Sequence, residues 1–321
     1  MQTKNALIVG INHYDFSSPL TGCINDALQM EQLLSCNEQL EGTEYNFHCT
    51  TLISGDLPHK KITRSKLFDA LKKLLLQPQG GDSAIFFFSG HGYTNSIGGY
   101  LVTQETGRFD EGFSVTDLIT MANKSKVKEV AIILDCCFSG TAGRLGGLND
   151  EVTLLRKGVS ILTATTGEEV ALERAGIGGE FTHILREGLK GLAADYFGNV
   201  TLPQLYQYAS LQCEYGRTEQ TPTLKANIDS NFVLRKVRPE IRLDELQELR
   251  TYFLHAQTQL RLHERRNDKV FSDSIRNWGE MGILAALHRP SINEEFSIPK
   301  GRAVLTQKGQ FFYRLQQLNS K

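Results

Sequence analysis

Two stretches of the sequence decide the fold, Ala84-Ile-Phe-Phe-Phe-Ser-Gly-His-Gly92 and Val130-Ala-Ile-Ile-Leu-Asp-Cys-Cys-Phe-Ser-Gly140. Each is a short apolar run that ends in a glycine-containing turn, a pattern typical of a buried β-strand. The first turn carries His91 and the second carries Cys137. If the two strands are parallel neighbours, both turns lie at the same edge of the sheet, where an imidazole can take the proton of a thiol. The pattern therefore predicts a nucleophilic cysteine.

Outward from these stretches, the first 235 residues alternate between apolar strands and amphipathic helices. The expected strands, rich in Val, Ile, Phe and Leu, are Asn5–Ile11, Asn46–Ser54, Ser83–Ser89, Val130–Asp135, Val159–Ala164 and Asn231–Arg235. The expected helices are Ile24–Leu34, Thr63–Gln77, Val115–Ala122, Phe181–Leu192 and Leu202–Tyr215. Strands separated by helices predict an α/β fold with a mainly parallel six-stranded sheet flanked by helices. Ligands of such sheets bind beyond the carboxyl ends of the strands, where His91 and Cys137 fall.

The composition is typical of a globular protein in a reducing compartment. The chain has 321 residues, of which 40% are hydrophobic and 22% charged, and no apolar run reaches the ~18 residues of a membrane helix. The expected first strand begins so early that it leaves no room for a signal peptide. Six cysteines are too sparse for a disulfide scaffold, and no C-x-x-C pair suggests zinc. We therefore expect a cytoplasmic protein with no membrane contact and no metal or other cofactor.

The charge balance and the hydrophobic pattern both change near Pro239. Residues 1–235 hold 20 Lys and Arg against 26 Asp and Glu, whereas residues 236–321 hold 15 against 10. The pattern changes at the same place from alternating strands and helices to mostly helix. We therefore expect one domain over residues 1–238 and a second over residues 239–321. The acidic excess of the first suits a site that receives cationic ligands.

The motifs of the first part resemble those of caspase-like cysteine peptidases of the C14 type, metacaspases and orthocaspases in particular. In that family a strand followed by Ser-Gly-His-Gly precedes, by about fifty residues, a strand followed by Asp-x-Cys-x-Ser-Gly. Here His91 and Cys137 are 46 positions apart. Further segments resemble the family's first helix, its hairpin after the histidine, its cleft walls and its approach to the last strand: Leu20–Ala27, Gly98–Val102, Ile161–Ala171, Gly179–Thr182 and Gln220–Leu224. The resemblance extends over most of residues 5–235.

The resemblance implies a cysteine endopeptidase that works by a Cys–His dyad. Cys137 is then the nucleophile, and His91 takes its proton and later returns one to the leaving amine. The backbone N–H groups of Gly92 and Cys137 are the implied oxyanion hole. Cys136 is a competitor for the nucleophile, but adjacent side chains of a strand point to opposite faces, so only one cysteine can face His91. The family's register selects Cys137, and no third member of a triad is evident.

The same resemblance implies a preference for basic substrates. The positions that match the S1 pocket of metacaspases are Cys23, Asp26, Ser89 and Asp135. Two carboxylates beside the scissile bond favour Arg or Lys at P1, and Arg can be held by both of its terminal nitrogens. Each carboxylate also has a structural interpretation, since Asp26 can compensate a helix dipole and Asp135 can cap a strand end. Together with the register match, they favour a basic P1 pocket.

The segment after the nucleophile, Thr141–Lys157, is rich in glycine and reads as a loop of the kind where proteolytic nicking concentrates. Its basic residues Arg144, Arg156 and Lys157 match the inferred P1 preference, so we expect self-cleavage after one of them. Arg144 also stands where an acidic, calcium-binding residue is expected in many metacaspases, and Phe138 stands where His is common. The sequence therefore does not support calcium activation.

The C-terminal segment carries a second, weaker resemblance, to winged-helix modules. Leu243–Arg266 and Val270–Trp278 are expected helices, and the run Leu305-Thr-x-x-Gly-x-x-Phe resembles the end of such a module. A partner protein or a nucleic acid could bind it and regulate the peptidase, as would suit a cell-death or antiviral defence effector. Two alternatives remain: the long helix merely packs and stabilises, or the whole chain is an inactive scaffold. The intact pair of His91 and Cys137 argues against the scaffold.

Overall fold

The computed structural model of the protein describes residues 3–38, 42–55, 61–107, 112–136, 138–139, 154–164, 173–174, 178–216, 220–228, 230–240, 249, 251–253, 255, 260–261, 269–286 and 302–319. The chain divides into two units, residues 1–238 and residues 239–321. Each unit has its own buried residues and its own sheet.

The first unit contains short and long strands in several sheets. The strands are β1 (Lys4–Gly10), β2 (Cys36–Glu38), β3 (Thr43–Tyr45), β4 (His48–Ile53), β5 (Gly81–Ser89), β6 (Gly92–Thr94), β7 (Gly99–Leu101), β8 (Phe113–Ser114), β9 (Val127–Asp135), β10 (Phe138–Ser139), β11 (Val159–Thr163), β12 (Glu173–Arg174), β13 (Gly178–Gly179), β14 (Asn199–Thr201), β15 (Thr223–Asn227) and β16 (Val233–Lys236). The helices are α1 (Cys23–Ser35), α2 (Arg64–Leu75), α3 (Val115–Lys124), α4 (Glu180–Glu187) and α5 (Leu202–Gly216), with a π-helical turn at Gly188–Leu192. Within the described ranges, no helix has the length and apolar composition needed to cross a membrane.

The central sheet has six strands in the order β15-β11-β9-β5-β1-β4. All neighbours are parallel except β15, which runs antiparallel to β11 at the edge. The mainly parallel six-stranded sheet expected from the sequence is therefore confirmed. The expected strand Asn231–Arg235 is present as β16, but it pairs with β14 in a separate sheet and does not belong to the central one. The true edge strand, β15, is only half-buried, and a half-buried edge carries little of the continuous apolar signal that marks central strands.

Both faces of the central sheet are buried, because side chains of its strands alternate between two hydrophobic cores. Along β5, Phe86 and Phe88 belong to the core that contains α2 and α3, and Ile85 and Phe87 belong to the core that contains α1, α4 and α5. The four side chains are fully buried. Burial of each such side chain contributes about 1.5–3 kcal/mol, so the central strands are rigidly held.

The helices begin and end close to where the sequence predicts them. Thr63 caps α2, its hydroxyl accepting from the Lys66 N–H at 3.2 Å, as an N-cap residue does. Four leucines of this helix recur at helical spacing and are buried in one core: Leu67, Leu71, Leu74 and Leu75. These helices anchor the ends of the strands that they connect.

The strands of the central sheet end together at one edge. In the register, Ser89 at the end of β5 lies opposite Asp135 at the end of β9 and opposite Gly10 at the end of β1. Beyond this edge lies a four-stranded sheet in the order β10-β6-β7-β8. It contains the hairpin expected after His91, with β6 and β7 antiparallel.

The described residues of the second unit include a three-stranded antiparallel sheet and two long helices. Arg302–Leu305 lies between Leu260–Arg261 and Leu284–Ala286, and the helices are Lys269–Glu280 and Gln307–Asn319. The expected helix Leu243–Arg266 is wrong near its end, since Leu260–Arg261 form a strand. Short apolar runs fit a helix or a strand equally well, and pairing with the middle strand decides this one. Most of the rest of that helix lies outside the described residues, and the winged-helix resemblance stays a prediction.

Candidate active site

His91 lies in the turn between β5 and β6 and is held from two sides. Its backbone N–H donates to the Tyr14 hydroxyl at 2.8 Å, and that hydroxyl donates to the Ile11 carbonyl at 3.1 Å. The Tyr14 and His91 rings lie 4.8 Å apart between centroids. On the imidazole, Nε2 lies 2.9 Å from the Ser18 carbonyl oxygen, which can only accept a hydrogen bond. This contact assigns the proton of the neutral ring to Nε2 and leaves Nδ1 as the proton acceptor.

Gly90 lets the Tyr14 hydroxyl approach the turn. A Cβ at position 90 would lie 2.7 Å from the Tyr14 hydroxyl and 3.0 Å from the Phe88 ring, too close for either contact. The Gly90 N–H donates to the Asp135 carbonyl at 3.3 Å and ties the two strand ends together. Any side chain here would push Tyr14 away from His91.

Cys137 lies outside the described residues, whereas its chain neighbours are placed. Cys136 is 2% exposed and belongs to the core on the face of the sheet covered by α2 and α3, as expected for a packing residue. Phe138 pairs with Gly92, the residue after His91, in a parallel register. The chain on both sides of position 137 therefore runs beside the turn that carries His91.

Asp26 is a fully buried carboxylate at this edge of the sheet. It lies in the first turn of α1 and is 0% exposed. Its Oδ2 accepts from the Ser89 hydroxyl at 3.2 Å and from the Gly179 N–H at 3.0 Å. Within the described part of the chain, no group donates to Asp26 Oδ1. Because a buried oxygen without a donor is unfavourable, Oδ1 is well suited to accept a hydrogen bond from a ligand.

Asp135 is the second buried carboxylate, at the end of β9. Both the N–H and the hydroxyl of Thr182 donate to its Oδ2, the N–H at 3.2 Å. A Cβ at Gly179 would lie 2.3 Å from the same oxygen, so the start of α4 can approach only because residue 179 is glycine. Gly179 and Thr182 come from the segment that resembles a cleft wall of the family.

Cys23 completes the set of four S1 positions inferred from the sequence. It is the first residue of α1, one turn before Asp26, and is 7% exposed. The Cys23 carbonyl packs closely on Gly10, because a Cβ at position 10 would lie only 2.3 Å from the carbonyl oxygen. Since Gly10 pairs with Ser89, the structure brings the four positions to one edge of the sheet.

The charge of Asp135 influences the protonation of Asp26. Burial raises the pKa of Asp26 to about 7, the Gly179 N–H opposes this rise, and the charge of Asp135 adds to it. At neutral pH, Asp26 therefore exchanges between its neutral and charged forms. A cation placed beside Asp26 would favour the charged form and lower this pKa.

We expect Asp26→Asn to stabilise the folded protein above neutral pH. Because burial raises the pKa of Asp26 from 3.8 to about 7, the folded state binds more protons than the unfolded state between these values. The stabilisation that comes from this bound proton is complete below the unfolded pKa of 3.8, and it is lost as the pH rises through 7. The neutral amide avoids the loss, so its free energy of unfolding at pH 8 should exceed that of the wild type by on the order of 3 kcal/mol.

Urea unfolding at pH 8 and pH 4 measures this difference. The gain should nearly vanish at the lower pH, and Asp69→Asn, an exposed residue of α2, should show no comparable gain at either pH. A gain that is equal at both pH values would contradict the burial of a titrating carboxylate.

The three candidate self-cleavage residues differ in their surroundings. Arg144 lies outside the described residues, and Lys157 is exposed. The Arg156 side chain is fixed by hydrogen bonds to the backbone, and burial lowers the pKa of its guanidinium. Its guanidinium donates to the backbone carbonyls of Val127, Lys157, Ala122 and Lys128, at 2.5, 2.6, 3.1 and 3.3 Å. Cleavage after Arg156 would require these bonds to break.

Sequence reasoning missed the groups that position the site. The Ser18 carbonyl and the Gly179 N–H are backbone atoms, so their residue types carry no signal for these roles. Tyr14 could have been noted as one of two aromatic residues, with Phe16, in the segment before Leu20, and Thr182 as a hydroxyl beside a cleft-wall glycine. Within the described ranges, no group of three or more His, Cys, Asp or Glu side chains is placed to hold a metal ion.

The chain is similar to several metacaspases. It is 32% identical over 146 residues to Metacaspase-8 of Arabidopsis thaliana, covering 43% of this chain and 37% of that protein. It is 34% identical over 157 residues to Metacaspase-1 of Plasmodium falciparum, covering 43% and 24%. Its match to Metacaspase-1 of Candida albicans is 25% identical over 222 residues, covering 60% and 48%. The chain thus spans less than half the length of each of these relatives.

Solved structures share the fold. Caspase-1 from Spodoptera frugiperda matches with a TM-score of 0.53 and 13% identity, over 74% of this chain and 91% of that one. A protein from Geobacter sulfurreducens matches with a TM-score of 0.53 and 18% identity, over 74% and 98%. The family model described as Peptidase_C14, Caspase domain, matches residues 3–233. With nearly the whole first unit matched, the chain belongs to the caspase domain family.

Proposed function

We propose that the protein is a cysteine endopeptidase that cleaves after Arg or Lys, with Cys137 as nucleophile and His91 as base. One observation carries the proposal: the pairing of Phe138 with Gly92 runs the chain around position 137 beside the turn that holds His91. Family membership supports the reaction class, and fluorogenic peptides test it. If neither the intact nor the self-processed chain cleaves a single peptide with a basic P1 residue, the proposal is wrong.

The proposed reaction begins with a proton transfer from the Cys137 thiol to Nδ1 of His91. A free thiol, with a pKa of ~8.5, is mostly protonated at neutral pH, and the thiolate is the reactive form. The thiolate attacks the scissile carbonyl, and the N–H groups of Gly92 and Cys137 stabilise the oxyanion. His91 then gives its proton to the leaving amine, and water, activated by the same nitrogen, hydrolyses the acyl-enzyme.

The Ser18 carbonyl holds the imidazole during these steps. With the proton of the neutral ring on Nε2, the 2.9 Å contact fixes the orientation of the ring. The same carbonyl stabilises the imidazolium that forms when Nδ1 accepts a second proton, as an acceptor beside a catalytic histidine does. The dyad thereby obtains a third, main-chain member.

The preference for a basic P1 residue is supported by the buried acidic pair. Asp26 Oδ1 lacks a donor within the described residues, and a P1 guanidinium or ammonium would supply one. An acidic P1 residue would instead face two carboxylates with no counter-charge from the four S1 positions. Specificity of this kind depends on the repulsion of the wrong side chain as much as on the attraction of the right one.

We expect Tyr14→Phe to lower kcat about tenfold with little change in KM. The substitution keeps the ring beside His91 but removes the hydroxyl that accepts from its N–H. The imidazole then loses part of its orientation while the S1 pocket is unchanged. Tyr206→Phe on α5 is the matched control and should leave both constants unchanged. A loss that is confined to KM, or a shared loss in the control, would contradict a positioning role for Tyr14.

We also expect self-cleavage within Thr141–Lys157, after Arg144 in preference to Arg156 or Lys157, because the Arg156 guanidinium is tied to four carbonyls and one of them is that of Lys157. Intact-mass measurement locates the cut during incubation, and the combined variant Arg144→Gln and Lys157→Gln should slow it at least about tenfold. Purified Cys137→Ala should stay whole, which excludes a contaminating protease. An active preparation with no cut in this segment would show that a single chain is the working form.

A further inference from the structure

A cavity lies at the edge of the central sheet opposite to the candidate active site. Its volume is about 710 Å³, within the range of about 300–1,000 Å³ usual for small-molecule sites. Its walls come from the starts of β1, β5 and β9, the residues just before β11, and the region of β16. Since the parallel strands run from this cavity to the edge with His91, neither the dyad nor the S1 positions contribute to it.

The cavity is lined by more cations than free anions. Its lysines are Lys4, Lys128, Lys157 and Lys236, and its carboxylates are Asp82 and Glu129. Both carboxylates are engaged by neighbours. Asp82 accepts from Lys128 at 2.7 Å and from the Thr3 N–H at 2.9 Å. Glu129 accepts from the Ser230 hydroxyl at 2.5 Å.

Lys4 and Lys236 differ from Lys128 because neither forms a salt bridge with any residue that the structure describes. Lys4 Nζ lies 3.3 Å from the Asn46 amide oxygen and 5.4 Å above the Phe47 ring, contacts that hold it in place without neutralising it. Burial lowers the pKa of Lys4, and the charge of Lys236 lowers it further, against the weaker effects of Glu44 and Asp82. Lys4 and Lys236 thus place two like charges in the lining of one cavity.

An aromatic face lies in the same cavity. Phe232 is half-buried in its wall, and its ring is fixed edge-on by Phe47 with 6.4 Å between centroids. Ser83 and Asn231 add polar side chains to the lining. A ligand with a phosphate group and a flat ring would use all of these features, because lysines bind phosphate and aromatic faces stack on bases.

We propose that this cavity binds a small molecule that carries two or more phosphate groups, seated between Lys4 and Lys236. The phosphates would remove the repulsion between the two lysines and form charge-assisted hydrogen bonds with both. A nucleoside diphosphate and free pyrophosphate share this chemistry, and only the nucleotide would use Phe232. The proposal does not depend on the peptidase activity.

Titration calorimetry on the full chain at low ionic strength tests the proposal, with Cys137→Ala included in every protein to prevent self-cleavage. The probes are sodium pyrophosphate and ADP, without added metal. We expect both to bind, and the double variant Lys4→Gln and Lys236→Gln to weaken binding at least about tenfold. The matched control, Lys72→Gln and Lys73→Gln on the exposed side of α2, removes the same charge away from the cavity and should change affinity less than about twofold.

The two probes separate the two sources of phosphate. Tighter binding of ADP than of pyrophosphate, lost in Phe232→Leu, identifies a nucleotide, and equal binding identifies the phosphate groups alone. Thermal unfolding without ligand shows whether each variant is folded, and removal of like charges should not lower the melting temperature. No binding of either probe at millimolar concentration, or an equal loss in the control, would overturn the proposal.

Discussion

Cys137→Ala and His91→Ala should each lower kcat/KM for a peptide with Arg at P1 by about 10⁴-fold or more, whereas Cys136→Ala should keep most of the activity. The thiol supplies the bond to the substrate and Nδ1 of the imidazole accepts its proton, so loss of either group stops acyl transfer. Cys136 differs because its side chain is 2% exposed in the hydrophobic core. Its replacement removes packing and leaves the reacting atoms in place.

Circular dichroism, urea unfolding and a double variant serve as controls for this result. Circular dichroism and urea unfolding show whether each variant is folded, which matters most for the buried Cys136. The double variant Cys137→Ala and His91→Ala should be no less active than either single variant, since members of one catalytic unit are not additive. Unchanged hydrolysis in Cys137→Ala would refute the assignment of the nucleophile.

Peptides with Arg or Lys at P1 should be cleaved at least about 10³-fold more efficiently than the same peptide with Asp. The reason is electrostatic, since a P1 carboxylate would be buried beside the carboxylates of Asp26 and Asp135. Asp26→Asn should lose efficiency mainly towards basic P1 residues, and the exposed Asp69→Asn should not. A measured preference for Asp at P1 would refute the acidic pocket.

Proton release gives an independent readout of the same pocket. Because burial raises the pKa of Asp26 to about 7 in the free protein, binding of argininamide to the Cys137→Ala variant should expel about 0.5 proton at pH 7. Calorimetry in buffers of different ionisation enthalpy counts this proton. Asp26→Asn should release none, and an unchanged release in that variant would assign the proton to another group.

The sequence was sufficient to predict five of the six strands of the central sheet and the edge where the candidate site lies. Apolar runs such as Ala84–Ser89 that are rich in Phe and Ile and end in a glycine turn are typical of strands buried on both faces, and their ends mark the edge. The strands Gly81–Ser89 and Val127–Asp135 have nine residues each and pair in parallel from end to end. Ser89 therefore lies beside Asp135. Strand-end motifs and parallel pairing together therefore predict which side chains converge.

What the sequence could not predict depends on contacts between distant segments or on the backbone. The Ser18 carbonyl reaches His91 across 73 positions, and the Gly179 N–H reaches Asp26 across 153. Neither contact leaves a periodic pattern. The edge strand β15 and the strand at Leu260 were missed for a related reason, since both depend on pairing with a neighbour more than on their own apolar content.

Covalent labelling tests in one experiment whether Cys137 is the nucleophile and whether the pocket prefers a basic P1 residue. The full chain is treated with a peptidyl acyloxymethyl ketone that has Arg at P1, or with the same reagent carrying Asp, and tandem mass spectrometry locates the adduct. We expect a single adduct on Cys137 with the Arg reagent and little labelling with the Asp reagent. In His91→Ala, labelling by the Arg reagent should be strongly slowed. An adduct on Cys136, or equal labelling by both reagents, would contradict these expectations.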